Sequence, residues 1–190
     1  MRSFASSLVY ATGVSKVLGK PKSGETVRIQ DSKGKFLAWG AFSPESALRA
    51  RCWSFQEEDV IDAAWIEARV KAAIEARSCL RSRTNAIRLI FGEADFLPGL
   101  IVDQYNNQVV TQFQSAGVEY WRSVIGQALV KYTGCSQVYD RSDAATRARE
   151  GLPERKEVLE GEEPLRKSKS WKMESSTVLT FAWDTKPVLR

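Results

Sequence analysis

Histidine is absent from this 190-residue chain, and cysteine occurs three times. Without histidine there is no Ser–His–Asp triad, no imidazole general base and no imidazole metal ligand. Cys52, Cys79 and Cys135 are odd in number, far apart and never spaced as Cys-x-x-Cys, so neither a disulfide framework nor a zinc site is expected. A reducing, cytoplasmic compartment fits that usage. Apolar runs stay well short of the roughly 20 residues of a membrane span, and the first residues lack a signal-type apolar stretch, so no membrane contact is expected. A glycine-rich phosphate loop, internal repeats and low-complexity segments are missing too.

What is present is a divided charge. Hydrophobic residues make up 43% of the chain, enough for a core, and the net charge is +5. Residues 1–55 carry nine Lys/Arg against three Asp/Glu, residues 56–163 thirteen against eighteen, and residues 164–190 six against two. A basic module joined to an acidic unit suggests a polyanion binder attached to something else, or a basic face that is merely solvated.

The run Ala47 to Phe55 alternates strictly. Leu48, Ala50, Cys52 and Ser54 take one face of a strand; Arg49, Arg51, Trp53 and Phe55 take the other. Two guanidiniums and two rings on one face suit phosphates and stacked bases. The same pattern also suits a barrel strand with core aromatics and solvated arginines. Lys20 and Lys22 lie in a Gly/Pro-containing loop, and Lys33 and Lys35 flank Gly34 in a turn between strands at 25–31 and 36–42. The candidate RNA-contacting set is therefore Lys20, Lys22, Lys33, Lys35, Arg49, Arg51 and Trp53.

A helix is expected from an Asp59 cap to about Cys79, with Ile61, Trp65, Ala68 and Ala72 inward. Residues 86–163 alternate strands at 86–91, 100–103, 108–114 and 136–140 with a helix at 118–132 and a short helix ending at Glu150. Residues 153–163 read as a charged linker. That order suits an α+β domain. The boundaries are 1–58 for the basic β module, 59–85 for a helical connection, 86–163 for the α+β unit and 164–190 for a tail. Glu93 and Asp95 could be turn-forming acids or an acid–base pair. Asp140-Arg141-Ser142-Asp143 could be a cap with a local ion pair. None of the cysteines has an activating neighbour. No catalytic, cofactor-binding or metal residue is assigned.

Three stretches carry a resemblance. Gly92-Glu93-Ala94-Asp95-Phe96-Leu97-Pro98-Gly99-Leu100-Ile101-Val102-Asp103 resembles the "GE-x-D-x-LPGL-x-VD" stretch of RlmI-type ribosomal RNA large subunit (23S) cytosine-C5 methyltransferases. Asp140-Arg141-Ser142-Asp143 with Arg147, Glu150 and Gly151 resembles that family's "YDRSD…R…EG". Gly40 to Pro44, with Arg49-Ala50-Arg51 and Trp53, resembles "GAYSP…IRARVW" of its PUA domain. The resemblance implies a PUA-like RNA-binding β-barrel and a small α+β domain. It also implies 23S rRNA as partner and S-adenosylmethionine (SAM) as cofactor of the full-length family.

Two departures shape the expectation. The chain starts late for the family, so its PUA-like barrel is expected to lack a strand and to leave an open edge. After Glu163 the family pattern stops, and Ala182 to Val188, back-translated and shifted by one frame, can read Leu-Gly-His-Lys-Thr-Gly as the family does. Residues 164–190 are therefore expected to be an out-of-frame, disordered tail. With no Rossmann-type glycine turn, the catalytic Rossmann-like domain is expected to be absent, with no cofactor held by this chain and no activity of the chain alone. The fold expected is thus α+β, and the function the RNA-binding portion of the methyltransferase. The alternatives are a stand-alone RNA-binding or ribosome-associated adaptor, or a nonfunctional pseudogene product. The sequence gives no target nucleotide and no oligomeric state.

Overall fold

The computed structural model describes residues 7–161, together with the backbone of 167–172 and 175–182. Strands β1 (Leu8–Tyr10), β2 (Thr26–Gln30), β3 (Phe36–Phe42) and β4 (Leu48–Ser54) form an antiparallel sheet in the order β1-β4-β3-β2. The Arg/Trp strand β4 is thus internal. β1 pairs with it, Leu8 opposite Arg51, and β1 and β2 are the outer strands of the sheet. From Cys52 to Ser54 both faces of β4 are buried, which strict alternation does not anticipate. The cause is a second layer packed against the face that holds Trp53.

Helix α1 (Ala63–Glu75) is capped by Asp62, whose side chain accepts from the Trp65 amide at 2.8 Å. Asp59, the expected cap, instead accepts from the Ser54 hydroxyl. The buried stripe is Ile66, Val70, Ala73 and Ile74, one step round from the expected one. Ala68 and Ala72 are exposed; alanine suits a helix on either face.

The second sheet holds β5 (Ala86–Phe91), β6 (Leu100–Tyr105), β7 (Gln108–Phe113), β8 (Gln137–Arg141) and β9 (Lys156–Glu160), in that spatial order. Residues expected to be a linker thus supply an edge strand, β9, antiparallel to β8. Between β7 and β8 run α2 (Ala116–Tyr120) and α3 (Arg122–Thr133), the expected single helix interrupted at Trp121. Helix α4 (Ala144–Arg149) follows β8. β7 and β8 are parallel. The plain α+β expectation is therefore corrected: the sheet is mixed and contains a βαβ crossover. A parallel pair cannot be joined by a hairpin, so the intervening helices must cross one face of the sheet.

One core runs through the molecule. Leu89, Ile90, Leu100, Val102, Phe113, Ile125 and Leu129 fill the second unit, with Ile66 and Val70 of α1. Ala41 and Trp53 of the first sheet belong to the same cluster. Close approach across this junction requires glycine at two places. A Cβ on Gly117 would stand 2.7 Å from Trp53 Cζ2, and Gly24, at φ +82, lies against the Ala116 carbonyl. Lys167–Lys172 (β10) and Ser175–Ala182 (β11) form an antiparallel pair, where a disordered tail is expected. Residues 162–166, 173–174 and 183–190 lie outside the described residues.

Glu150 ties the two units together. Its carboxylate, 5% exposed, accepts from Ser43 Oγ at 3.1 Å, Ser46 Oγ at 2.9 Å and Arg51 Nη2 at 2.9 Å. Replacing Glu150 with alanine leaves Arg51 without its buried partner, so stability should fall by about 3 kcal/mol in urea unfolding. A loss under roughly 0.5 kcal/mol, the size of a surface substitution, would show that this junction is open in solution.

Candidate nucleic-acid interface

The structure separates the seven predicted contact residues into two groups. Lys20, Lys22, Lys33 and Lys35 are all exposed. The β2–β3 turn is built to present its pair. Asp31 accepts from the amides of Lys33 at 2.8 Å and Lys35 at 2.9 Å, and Gly34 supplies φ +82. Lys20 and Lys22 stand on the loop before β2, where the Lys22 amide is tied to Glu25 at 2.7 Å.

The β4 group is engaged internally. Arg49 donates to the carbonyls of Ser43 and Pro44. Arg51 pairs with Glu150, and with Glu93 at 3.3 Å. Trp53 is 2% exposed and meets Trp65 edge-on, ring centroids 6.2 Å apart. Of the face read as a stacking surface, Phe55 is the ring that reaches solvent, at 40% exposure. A lone strand reveals its two faces but not which layer will cover one of them.

The acidic motifs serve as framework. Asp95 takes a bidentate pair from Arg77 at 2.9 and 2.8 Å and caps the Phe91 amide at 2.6 Å. Asp140, fully buried, accepts from Arg122 and from the Ser142 amide. Arg147, also fully buried, donates to Glu119, to the Phe113 carbonyl and to the Pro153 carbonyl. Asp143 caps α4 through the Thr146 amide, and that bond with the Thr146 hydroxyl holds its carboxyl below the usual range. None of these carboxylates is left free as an acid–base pair. Among the described residues no group of His, Cys, Asp or Glu could hold a metal ion. No helix among them is long and apolar enough to cross a membrane.

Two residues missed in the sequence shape a cleft. The Arg69 guanidinium lies over the rings of Trp65, at 4.6 Å, and Phe96, at 5.1 Å. Phe96 follows the Gly92–Asp95 turn in left-handed backbone. The motif around Phe96 marks a turn and not a ring contact, and Arg69 carries no local pattern that singles it out.

Residues 6–55 match the PUA-like domain family. That module is a PUA-like domain. The chain is 43% identical over 159 residues to "Ribosomal RNA large subunit methyltransferase I" of Pseudoalteromonas translucida, and 44% identical over 160 residues to the protein of that name in Photobacterium profundum. These alignments cover 82% of the chain, which spans about 40% of each relative. The resemblance carried by the three motif stretches therefore stands. Among solved structures, a putative SAM-dependent methyltransferase from Streptococcus mutans superposes with a TM-score of 0.72 at 15% identity. A putative methyltransferase complexed with SAH superposes at 0.74, also at 15% identity. Each match covers 94% of this chain and 44% of the other. The expected absence of a Rossmann-like part is thereby corrected. The mixed sheet with its parallel β7–β8 crossover and these superpositions over 94% of the chain show that it shares its fold with those neighbours.

The cofactor implied by those neighbours does not fit the described residues. In a βαβ cofactor site the ligand sits beyond the end of the first strand, at the following helix N-terminus. Here that space is filled: Gly117 at the start of α2 packs on Ala41 and Trp53, and Ser115 donates to the Pro98 carbonyl at 2.8 Å. The clefts lined by Arg69 and Phe96 measure about 250 and 200 Å³, below the roughly 300 Å³ at which cofactor-sized pockets begin.

Nor do the thiols suit nucleophilic work. Burial pushes Cys52 up to about 11, Cys135 is 1% exposed, and Cys79 is exposed with no activating base beside it. A thiol reagent at pH 8 should label Cys79 rapidly and the other two only on unfolding; fast labelling of Cys52 would contradict its burial. Because the unfolded chain loses the Cys52 proton near 9 and the folded chain near 11, this group's contribution to stability is retained below pH 9 and declines above it.

Proposed function

We propose that this chain is the RNA-recognition portion of a SAM-dependent methyltransferase acting at C5 of a cytosine in 23S rRNA, in the cytoplasm. The observation that carries the reading is a PUA-like domain whose exposed loops bear Lys20, Lys22, Lys33 and Lys35. Nine basic residues against three acidic ones in its first 55 positions give that module a field that draws a polyanion. The lysines act as phosphate contacts, which position RNA without reading its sequence. Arg49, Arg51 and Trp53 belong to the same surface as its support. Arg49 braces the β3–β4 turn, Arg51 links β4 to the second unit, and Trp53 anchors the sheet from beneath.

The names of the relatives and the methyltransferase fold favour an rRNA methyltransferase over other RNA binders. A stand-alone RNA-binding adaptor is the second reading, favoured by the filled space at the start of α2. The two differ in what surrounds the chain. Calorimetry with SAM on the 190 residues should give no binding heat, since the two clefts at Arg69 and Phe96 are smaller than the cofactor needs and the start of α2 is packed against Trp53. Micromolar binding would overturn that view and favour an enzyme complete in itself.

RNA binding is tested by affinity for a helical rRNA fragment at several salt concentrations. Binding should weaken steeply with salt, by a log–log slope of roughly 0.9 per duplex phosphate contacted. Replacing Lys20, Lys22, Lys33 and Lys35 together with alanine should flatten that slope and weaken binding at low salt by tenfold or more. Salt-independent binding, or an unchanged slope in the variant, would remove the lysines from the interface.

A further inference from the structure

Phe96 occupies left-handed backbone, φ 59 and ψ 28, a region that bulky residues rarely adopt. Burial does not repay this, because the residue is 54% exposed. Its ring faces the Arg69 guanidinium, which Trp65 covers from another side. No carboxylate pairs with Arg69 among the described residues, although Arg28, Arg51, Arg77, Arg88, Arg122 and Arg147 all have one. A flat cation is thus held in place by aromatic rings with its N–H fork uncommitted to an acid.

Arg69 and Phe96 line both clefts described above, and Phe55 and Gln56, directly after β4, line the larger one. Phe55 adds a second exposed ring. Each cleft is too small for a cofactor, and an uncommitted cation at the centre of the pair disfavours an apolar protein segment. It suits a flat aromatic ligand with acceptor atoms on its rim.

We propose that this cleft takes up one unpaired nucleobase of RNA, stacked against Phe96 and Phe55 with Arg69 donating to its edge. The proposal rests on the RNA-binding reading and names a site for it. The cleft begins where β4 of the PUA-like domain ends and is completed by Arg69 of α1 and by Phe96, so a base bound there lies at the border of the basic module. Stacking requires no particular base, because every base has a π-face; Arg69 and Gln56 supply whatever preference exists.

The test uses the full chain and a short single-stranded RNA carrying one 2-aminopurine, with a matching strand that is abasic at that position. Phe96→Gly removes the ring and suits the left-handed backbone, so its thermal midpoint should be equal or higher. Its affinity for the intact strand should fall by about tenfold, within the range of a lost base–aromatic stack, with an unchanged salt slope. Arg69→Lys keeps the charge, loses the planar fork and should also weaken binding. The unsubstituted chain should bind the abasic strand about as weakly as Phe96→Gly binds the intact one, and should quench 2-aminopurine where Phe96→Gly does not. If Phe96→Gly binds the intact strand as tightly as the unsubstituted chain, this site is wrong and the RNA reading stands. If the unsubstituted chain binds neither strand at low salt, both fall.

Discussion

The buried carboxylate of Glu150 is the constraint on which the arrangement of the two units depends. A charge at this depth is costly unless fully partnered, and its partners come from the other unit: the hydroxyls of Ser43 and Ser46 and the guanidinium of Arg51. To reach it, β4 must lie with Arg51 turned towards α4, which turns Trp53, two residues on, into the core beside Gly117. The strand that looked most like a ligand-binding face is thus committed to joining the two sheets.

The same logic organises the second unit. Arg147 and Arg122 are held among Glu119, Asp140, Glu157 and backbone carbonyls, so the parallel strand β8 and the helices beside it are fixed by charge-assisted bonds beneath an apolar sheet. Motifs that could be mistaken for catalysis are consumed in this framework. What remains for a ligand lies at the periphery: lysines on loops whose backbone is pinned by Asp31 and Glu25, and an uncommitted guanidinium between rings at the end of β4. The first group offers charge without geometry, the second geometry with a single charge. Polyanion attraction and local base contact need those two things respectively.

Much of this protein was legible in its residues. The β2–β3–β4 meander, strands β5 to β8 of the second sheet, the exposed lysines and the motif resemblance follow from alternation, turn chemistry and composition, which act within a few residues. Cys52 is buried on the strand face opposite the arginines, as alternation placed it. The cap of α1 was displaced from Asp59 to Asp62, and its stripe from Ala68 and Ala72 to Ile66, Val70, Ala73 and Ile74. Small residues such as alanine leave a helix face ambiguous until a partner selects it.

The sequence by itself determined the local elements, the charge division and the positions where glycine or a lysine-bearing turn must stand. Only the tertiary structure decided which face of β4 is covered, that β7 and β8 run parallel, that residues 156–160 form an edge strand, and that Arg69 meets Phe96. The physical reason is range. Turn and strand preferences are set by neighbours a few positions away, whereas the cost of burying Glu150 or Arg51 is met by groups about a hundred residues distant along the chain.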